Sequence, residues 1–297
     1  MQLVTAQRNR VKIKMALQGS SGSGKTYSAL LVAFGLCGDW AKIAVIDTEN
    51  HSAELYSFLG SYKVLTLSVP FTPEKYIEAI NICEKAGIEV LIIDSISHEW
   101  EGSGGILDIH SRMTGNSYTN WNKLTPRHNG FVQGILQSPM HVIGTIRTKQ
   151  DYVLAEKNGK QVPEKVGLKG ITREGMDYEF TLVFDLDIRH NAQASKDRTS
   201  LFMDKPAAKL SVETGKAIHT WCNESTLLPT NEVIIQRIGA CKSIGELLSL
   251  YNTYPTKQEE LQEDFTKKRQ ELLLTTNQTK TIAQQQKPST NGTTTIK

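Results

Sequence analysis

Gly19-Ser20-Ser21-Gly22-Ser23-Gly24-Lys25-Thr26 reads G-x-x-x-x-G-K-T. The apolar, alternating run Val11–Leu17 before it predicts a strand, and the Leu- and Ala-containing run Tyr27–Leu36 after it predicts a helix. That setting gives the pattern its physical meaning. Glycines let the backbone curl until successive N–H groups face a phosphate chain at a helix N-terminus. Gly19 through Thr26, with Tyr27 beside them, are the expected nucleotide-contacting residues. Lys25 is placed to reach the β- and γ-phosphates and the Thr26 hydroxyl to ligate Mg²⁺. The bland alternative is a Gly/Ser-rich turn with no ligand.

Working outward, short β-rich runs alternate with helical stretches. They are Lys42–Ile46, Lys63–Leu67, Val90–Ile93, His141–Ile146 and Phe180–Ile188, with an amphipathic helix over Pro73–Ala86 opened by Thr72. This texture predicts an α/β fold with a mainly parallel sheet flanked by helices. Past Trp221 it changes. Asn231–Tyr251 and Lys257–Leu274 read as two helices split by Tyr254-Pro255-Thr256, and the last 23 residues are Thr, Gln, Asn, Ser and Lys-rich. The expected division is a core over 1–224, a small helical appendage over 225–274 and a disordered polar tail over 275–297.

Two carboxylate-bearing strand ends surround the loop. Val90-Leu91-Ile92-Ile93-Asp94 is an apolar strand ending in an acid, which can hold Mg²⁺ through water. Ala44-Val45-Ile46-Asp47-Thr48-Glu49 brings two more carboxylates to the same edge, where one can orient an attacking water. The alternative for this segment is that Glu49 caps the next helix while Asp47 accepts structural hydrogen bonds.

Loop, D-x-E strand end and Asp94, in this order, resemble the core of RecA-type ATPases. The resemblance implies ATP and Mg²⁺ as ligands and Glu49 as catalytic base. It also implies a γ-phosphate sensor at Thr145 or Arg147, on the strand ending Arg147-Thr148-Lys149. Lys196 and Arg198, in Ser195-Lys196-Asp197-Arg198-Thr199, are similar to the finger pair that RecA-fold hexameric helicases direct at a neighbouring subunit's nucleotide. If they act so, the active species is a homo-oligomer, ring or filament; a solvated charged loop is the other reading. More narrowly, residues 11–222 look like phage- and prophage-encoded ATPases of the single-strand-annealing (Sak) type. That likeness implies ATP-dependent action on single-stranded DNA in recombination, in a bacterial cytoplasm, with a single-strand-binding protein as a further partner.

Two segments speak to nucleic acid on their own. Arg147–Arg173 carries seven cations, among them Lys149, Lys157, Lys160, Lys165 and Lys169, against three carboxylates, around the turn signal Asn158-Gly159. Trp100–Gly134 interleaves Arg112, Trp121, Lys123 and Arg127 with Tyr118, a composition suited to stacking unpaired bases. The bland accounts are a solubilised hairpin and helix-packing aromatics.

Other classes fit less well. A small-molecule P-loop kinase has no need of D-x-E after the second strand, and a GTPase-like switch lacks its guanine-reading motif, since Asn122-Lys123-Leu124-Thr125 has no Asp. The net charge of +3 is too small to argue for a polyanion partner by itself. No apolar run approaches the ~18 residues of a membrane span. Cys37, Cys83, Cys222 and Cys241 are scattered, so neither a disulfide nor zinc is expected.

Overall fold

The computed structural model describes residues 11–157, 160–223 and 230–285. The chain divides into two compact units, Met1–Glu224 and Ser225–Lys297. Among the described residues of the first, eight strands form one sheet: β1 (Lys14–Gly19), β2 (Ile43–Asp47), β3 (Lys63–Thr66), β4 (Val90–Asp94), β5 (His141–Lys157), β6 (Lys160–Gly170), β7 (Leu182–Leu186) and β8 (Ala192–Asp197). The spatial order is β3-β2-β4-β5-β1-β7-β8, with β6 paired antiparallel to β5. Neighbours from β3 to β7 run parallel, and β8 returns antiparallel. This is the expected P-loop α/β core. All the parallel strands end at one edge, so the Gly19 loop, Asp47 and Asp94 come together there.

Period-two alternation divides the sheet's side chains between two cores. Met15 and Leu17 of β1 pack with α1 (Lys25–Cys37) and α7 (Val212–Asn223) through Leu30 and Ile218. Ala16 faces the other way, with Ala44 and Ile93, toward α2 (Pro73–Lys85) and the long α5 (Ser117–Gln137) through Tyr76 and Phe131. Thr72 caps α2 by accepting the Lys75 N–H, and Pro73 opens it. Helices α3 (Ser97–Glu101) and α4 (Ile106–Arg112) fill the stretch between β4 and α5, while α6 (Met176–Glu179) precedes β7. Where α1 meets α7 the backbones touch. A Cβ on Gly35 would lie 2.1 Å from the Val212 carbonyl oxygen, and one on Gly215 2.2 Å from that of Val32.

The basic segment after Arg147 is not a loop at its base. β5 is 17 residues long in all, and its outer part pairs with β6 from Thr148↔Gly170 to Lys157↔Lys160. Asn158 and Gly159 lie outside the described residues.

The second unit departs from expectation twice. Its first helix is two, α8 (Asn231–Ala240) and α9 (Ile244–Thr253). The break is a variant of the capping box: Ser243 accepts the Glu246 N–H, and Glu246 reaches back one residue past the cap to the Lys242 N–H. The last helix, α10 (Gln262–Gln285), runs past Thr275, where disorder was expected to begin. None of the residues in this run costs a helix more than about 0.7 kcal/mol, and no Pro or Gly intervenes before Pro288. Ile234, Ile238, Leu247, Tyr254 and Phe265 form this unit's own core.

Candidate active site

The loop between β1 and α1 is shaped by two left-handed glycines, Gly22 at φ +80° and Gly24 at φ +82°, the latter capping α1. A residue with a Cβ adopts this conformation only at a cost. Lys25 is buried and donates to the carbonyls of Gly19 and Ser20, both at 2.9 Å. Burial pulls its ammonium below the ordinary value, against the attraction of Asp94 and Glu49. The loop opens on a cavity of about 530 Å³ lined by Ser21, Gly22, Gly24–Ser28, Glu49, Ser52, Leu55, Tyr56, Asp94, Arg147, His190, Lys209 and Leu210.

Asp94, at the end of β4, is buried and accepts two hydroxyl hydrogen bonds at 2.5 Å, from Thr26 on one oxygen and Thr145 on the other. Burial pushes its carboxyl above the usual carboxylate range, opposed by those two hydroxyls. Glu49 is paired with Arg147, Nε to Oε1 at 2.9 Å, and both line the cavity. Asp47 has a different task. Its two oxygens accept the backbone N–H groups of Glu49 and Ala53, at 2.6 and 2.9 Å, and so hold the turn that presents Glu49. Of the two acids in D-x-E, one is scaffold and the other faces the cavity. Thr48 between them accepts the Ser95 N–H and touches His98, tying this turn to α3.

The two sensor candidates separate. Thr145 is fully buried and spends its hydroxyl on Asp94. Arg147 stands at the strand edge opposite Gly19, in the cavity.

Residues 11–217, well over half of the chain, match the family model described as AAA domain. The chain belongs to this AAA domain family. The matched range holds the loop, Glu49, Asp94, Arg147 and the Lys196/Arg198 pair, and membership implies a P-loop ATPase domain that binds nucleotide. No curated protein matches the chain.

The donor set of the AAA domain suits Mg²⁺, a hard cation that takes oxygen ligands: a hydroxyl from Thr26 and a carboxylate from Asp94, within hydrogen-bonding distance of each other. The curled loop, with an ammonium reaching its own carbonyls, suits a phosphate chain.

Other residues singled out in the sequence lie elsewhere in the AAA domain. Lys196 is at the far end of β8, bonded to the Asp177 carbonyl at 3.3 Å and to that of Tyr178, with Arg198 exposed just beyond. Register places Asp197 opposite Leu182, whereas Leu186 is level with Gly19. Four residues at ~3.3 Å each put this pair roughly 13 Å from the loop's edge of the sheet. It does not serve its own cradle. Around α4 and α5, Trp121 stacks with both His110 (4.3 Å between centroids) and Trp100 (5.9 Å). Arg127 makes a two-bond fork with Glu74, and Arg112 pairs with Asp108 at 2.8 Å. Lys123 and Tyr118 are exposed. His128 is buried against Glu99, whose carboxyl burial pushes upward. Lys149 and Lys169 are exposed and face each other across the hairpin; the side chains of Lys157, Lys160 and Lys165 lie outside the described ones. Among the described residues no helix is long and apolar enough to cross a membrane.

Sequence reasoning missed Ser52, Leu55, Tyr56, His190, Lys209 and Leu210 as cavity residues. Tyr27 and Tyr56, 5.7 Å apart between centroids, make its aromatic side. Only the D-x-x-x-N turn at 187–191 left a readable signal for one of them.

Proposed function

We propose that this AAA domain binds Mg²⁺-ATP and hydrolyses it with Glu49 as the base. We further propose that turnover is coupled to single-stranded DNA in phage-type recombination or annealing, by an assembly of several copies. One observation carries the hydrolysis reading: Glu49 shares a cavity with Lys25, Thr26 and Asp94, and is held there by Arg147. A carboxylate so placed can orient and polarise water, while the loop amides and Lys25 hold the phosphates. Thr26 would hold Mg²⁺ directly and Asp94 through water, and the ion supplies charge neutralisation on the phosphates when bound. Arg147 is the γ-phosphate sensor in this scheme. Drawn to the terminal phosphate, it releases Glu49 for the water.

The DNA reading rests on the hairpin. Lys149 and Lys169 are direct cross-strand partners at its base, two residues from Arg147. Like charges in that position repel, and an anionic backbone relieves the repulsion. The α4 and α5 segment supports the reading less, because Trp121, Arg112 and Arg127 already have partners within the fold. The placement of Lys196 and Arg198 away from their own loop is what a role at a neighbour's nucleotide requires.

Phosphate release measured with and without an oligonucleotide tests the whole scheme. Stimulation at low salt supports it, and neither stimulation nor oligonucleotide binding discards the DNA part. Phosphate transferred to a small acceptor instead of water would make the protein a kinase.

A further inference from the structure

The hairpin turn joining β7 to β8 carries His190 to the loop that opens α1. A Cβ built on Gly24 would meet His190 Nδ1 at 2.9 Å, so the imidazole lies directly against the residue that caps the helix. His190 also lines the cavity, as does Lys209, whose segment is held to the hairpin by the paired N–H···O bonds between Ala192 and Ala208. Neither residue comes from the strands that deliver Glu49, Asp94 and Arg147, since β7 flanks β1 on the opposite side from β5.

The placement is built, not incidental. His190 has φ +68°, uncommon for a residue with a side chain. Such a conformation persists where surroundings over-determine it. Here Asp187 does so. Its Oδ1 accepts the Arg189 and Asn191 N–H groups, both at 2.8 Å, its Oδ2 accepts from the Asn191 side chain, and its carbonyl accepts the His190 N–H at 3.0 Å. A turn locked this firmly aims one imidazole at the amide-rich end of α1, where an anion is favoured.

We propose that His190 contacts the phosphate chain of the bound nucleotide, a binding residue supplied from the β7–β8 turn, with Asp187 as its positioning residue. This rests on the nucleotide reading above. An imidazole N–H to a phosphate oxygen is a charge-assisted bond, worth about tenfold in affinity.

Calorimetric titration of the full chain with Mg²⁺-ADP and with inorganic pyrophosphate tests it, on wild type, His190→Ala, His190→Gln and Asp187→Ala. The expected result is a roughly tenfold rise in Kd for both probes in His190→Ala. His190→Gln should recover part of the loss, and Asp187→Ala should show a smaller loss although the imidazole is retained. Affinities within twofold of wild type for His190→Ala overturn the proposal. A loss for ADP with pyrophosphate unaffected overturns it too, because the contact would then be to the nucleoside. Wild-type protein that binds neither probe defeats the nucleotide reading itself, a separate failure.

Discussion

Glu49→Gln removes one charge from the cavity and little volume. The Glu49–Arg147 pair it breaks is 2.9 Å long and partly exposed, 27% for the glutamate and 38% for the arginine. Pairs of that exposure contribute at most about 1 kcal/mol. For a unit of this size the thermal midpoint should therefore fall by no more than about 2–4 °C. The same energy returns on the ligand side. With Arg147 no longer held by a carboxylate, up to about 1 kcal/mol is released toward ATP, an affinity gain of up to about fivefold. Turnover should move the other way and much further, by ~10²–10⁴, the usual contribution of a general base. Phosphate release at saturating ATP and a fluorescent-nucleotide titration read the two effects separately. A variant hydrolysing within threefold of wild type would refute Glu49 as base. Weaker ATP binding in the variant would refute the competition between Glu49 and phosphate for Arg147.

Asp94→Asn turns one acceptor of the Thr26 and Thr145 hydroxyls into a donor. A stability loss of about 1–3 kcal/mol should appear in a thermal melt, together with loss of the Mg²⁺ dependence of nucleotide binding. His141 is buried and its Nδ1 accepts the Ile13 N–H at 3.1 Å; burial holds the imidazole down at about 3 against an ordinary 6.5. The folded chain thus refuses a proton that the unfolded chain takes up. Its contribution is intact above pH ~6.5 and is lost as pH falls, by up to about 2 kcal/mol at pH 5. Urea unfolding at pH 7 and 5 should show this dependence in wild type and a smaller one in His141→Gln. Arg198→Ala should bind ADP as wild type does yet hydrolyse slowly when concentrated. Adding Lys25→Ala subunits, which keep Arg198, should restore turnover; no rescue speaks against action in trans.

The parts of the site that were legible in sequence are those fixed by a short local pattern. The glycine loop needs only its own residues, and Asp94 needs only an apolar run before it. Asp47 and Glu49 were visible as a pair, but their roles were not, because the amides that Asp47 accepts come from a turn whose path depends on Ala53 packing in the core. Thr145 and Arg147 share a strand face by alternation, so spacing cannot choose between them. The register Gly19↔Arg147 does, by putting only the arginine at the edge. Trp121 had the composition of a stacking platform. Its rings are matched by His110 and Trp100 from two other helices, a tertiary fact invisible to periodicity. The split between α8 and α9 was readable as Ser243-x-x-Glu246, and the helical run beyond Thr275 as an absence of breakers up to Pro288.

The bare contact between Gly35 and Gly215 sets a trap for anyone surveying this protein by saturation mutagenesis. Neither position has room for even a methyl group, since the obstacles are main-chain atoms that cannot swing aside. Both should therefore score as intolerant as Lys25 while touching no ligand. Solubility would tell the two kinds of failure apart, with the glycine variants vanishing from the supernatant and the lysine variants remaining there, inert.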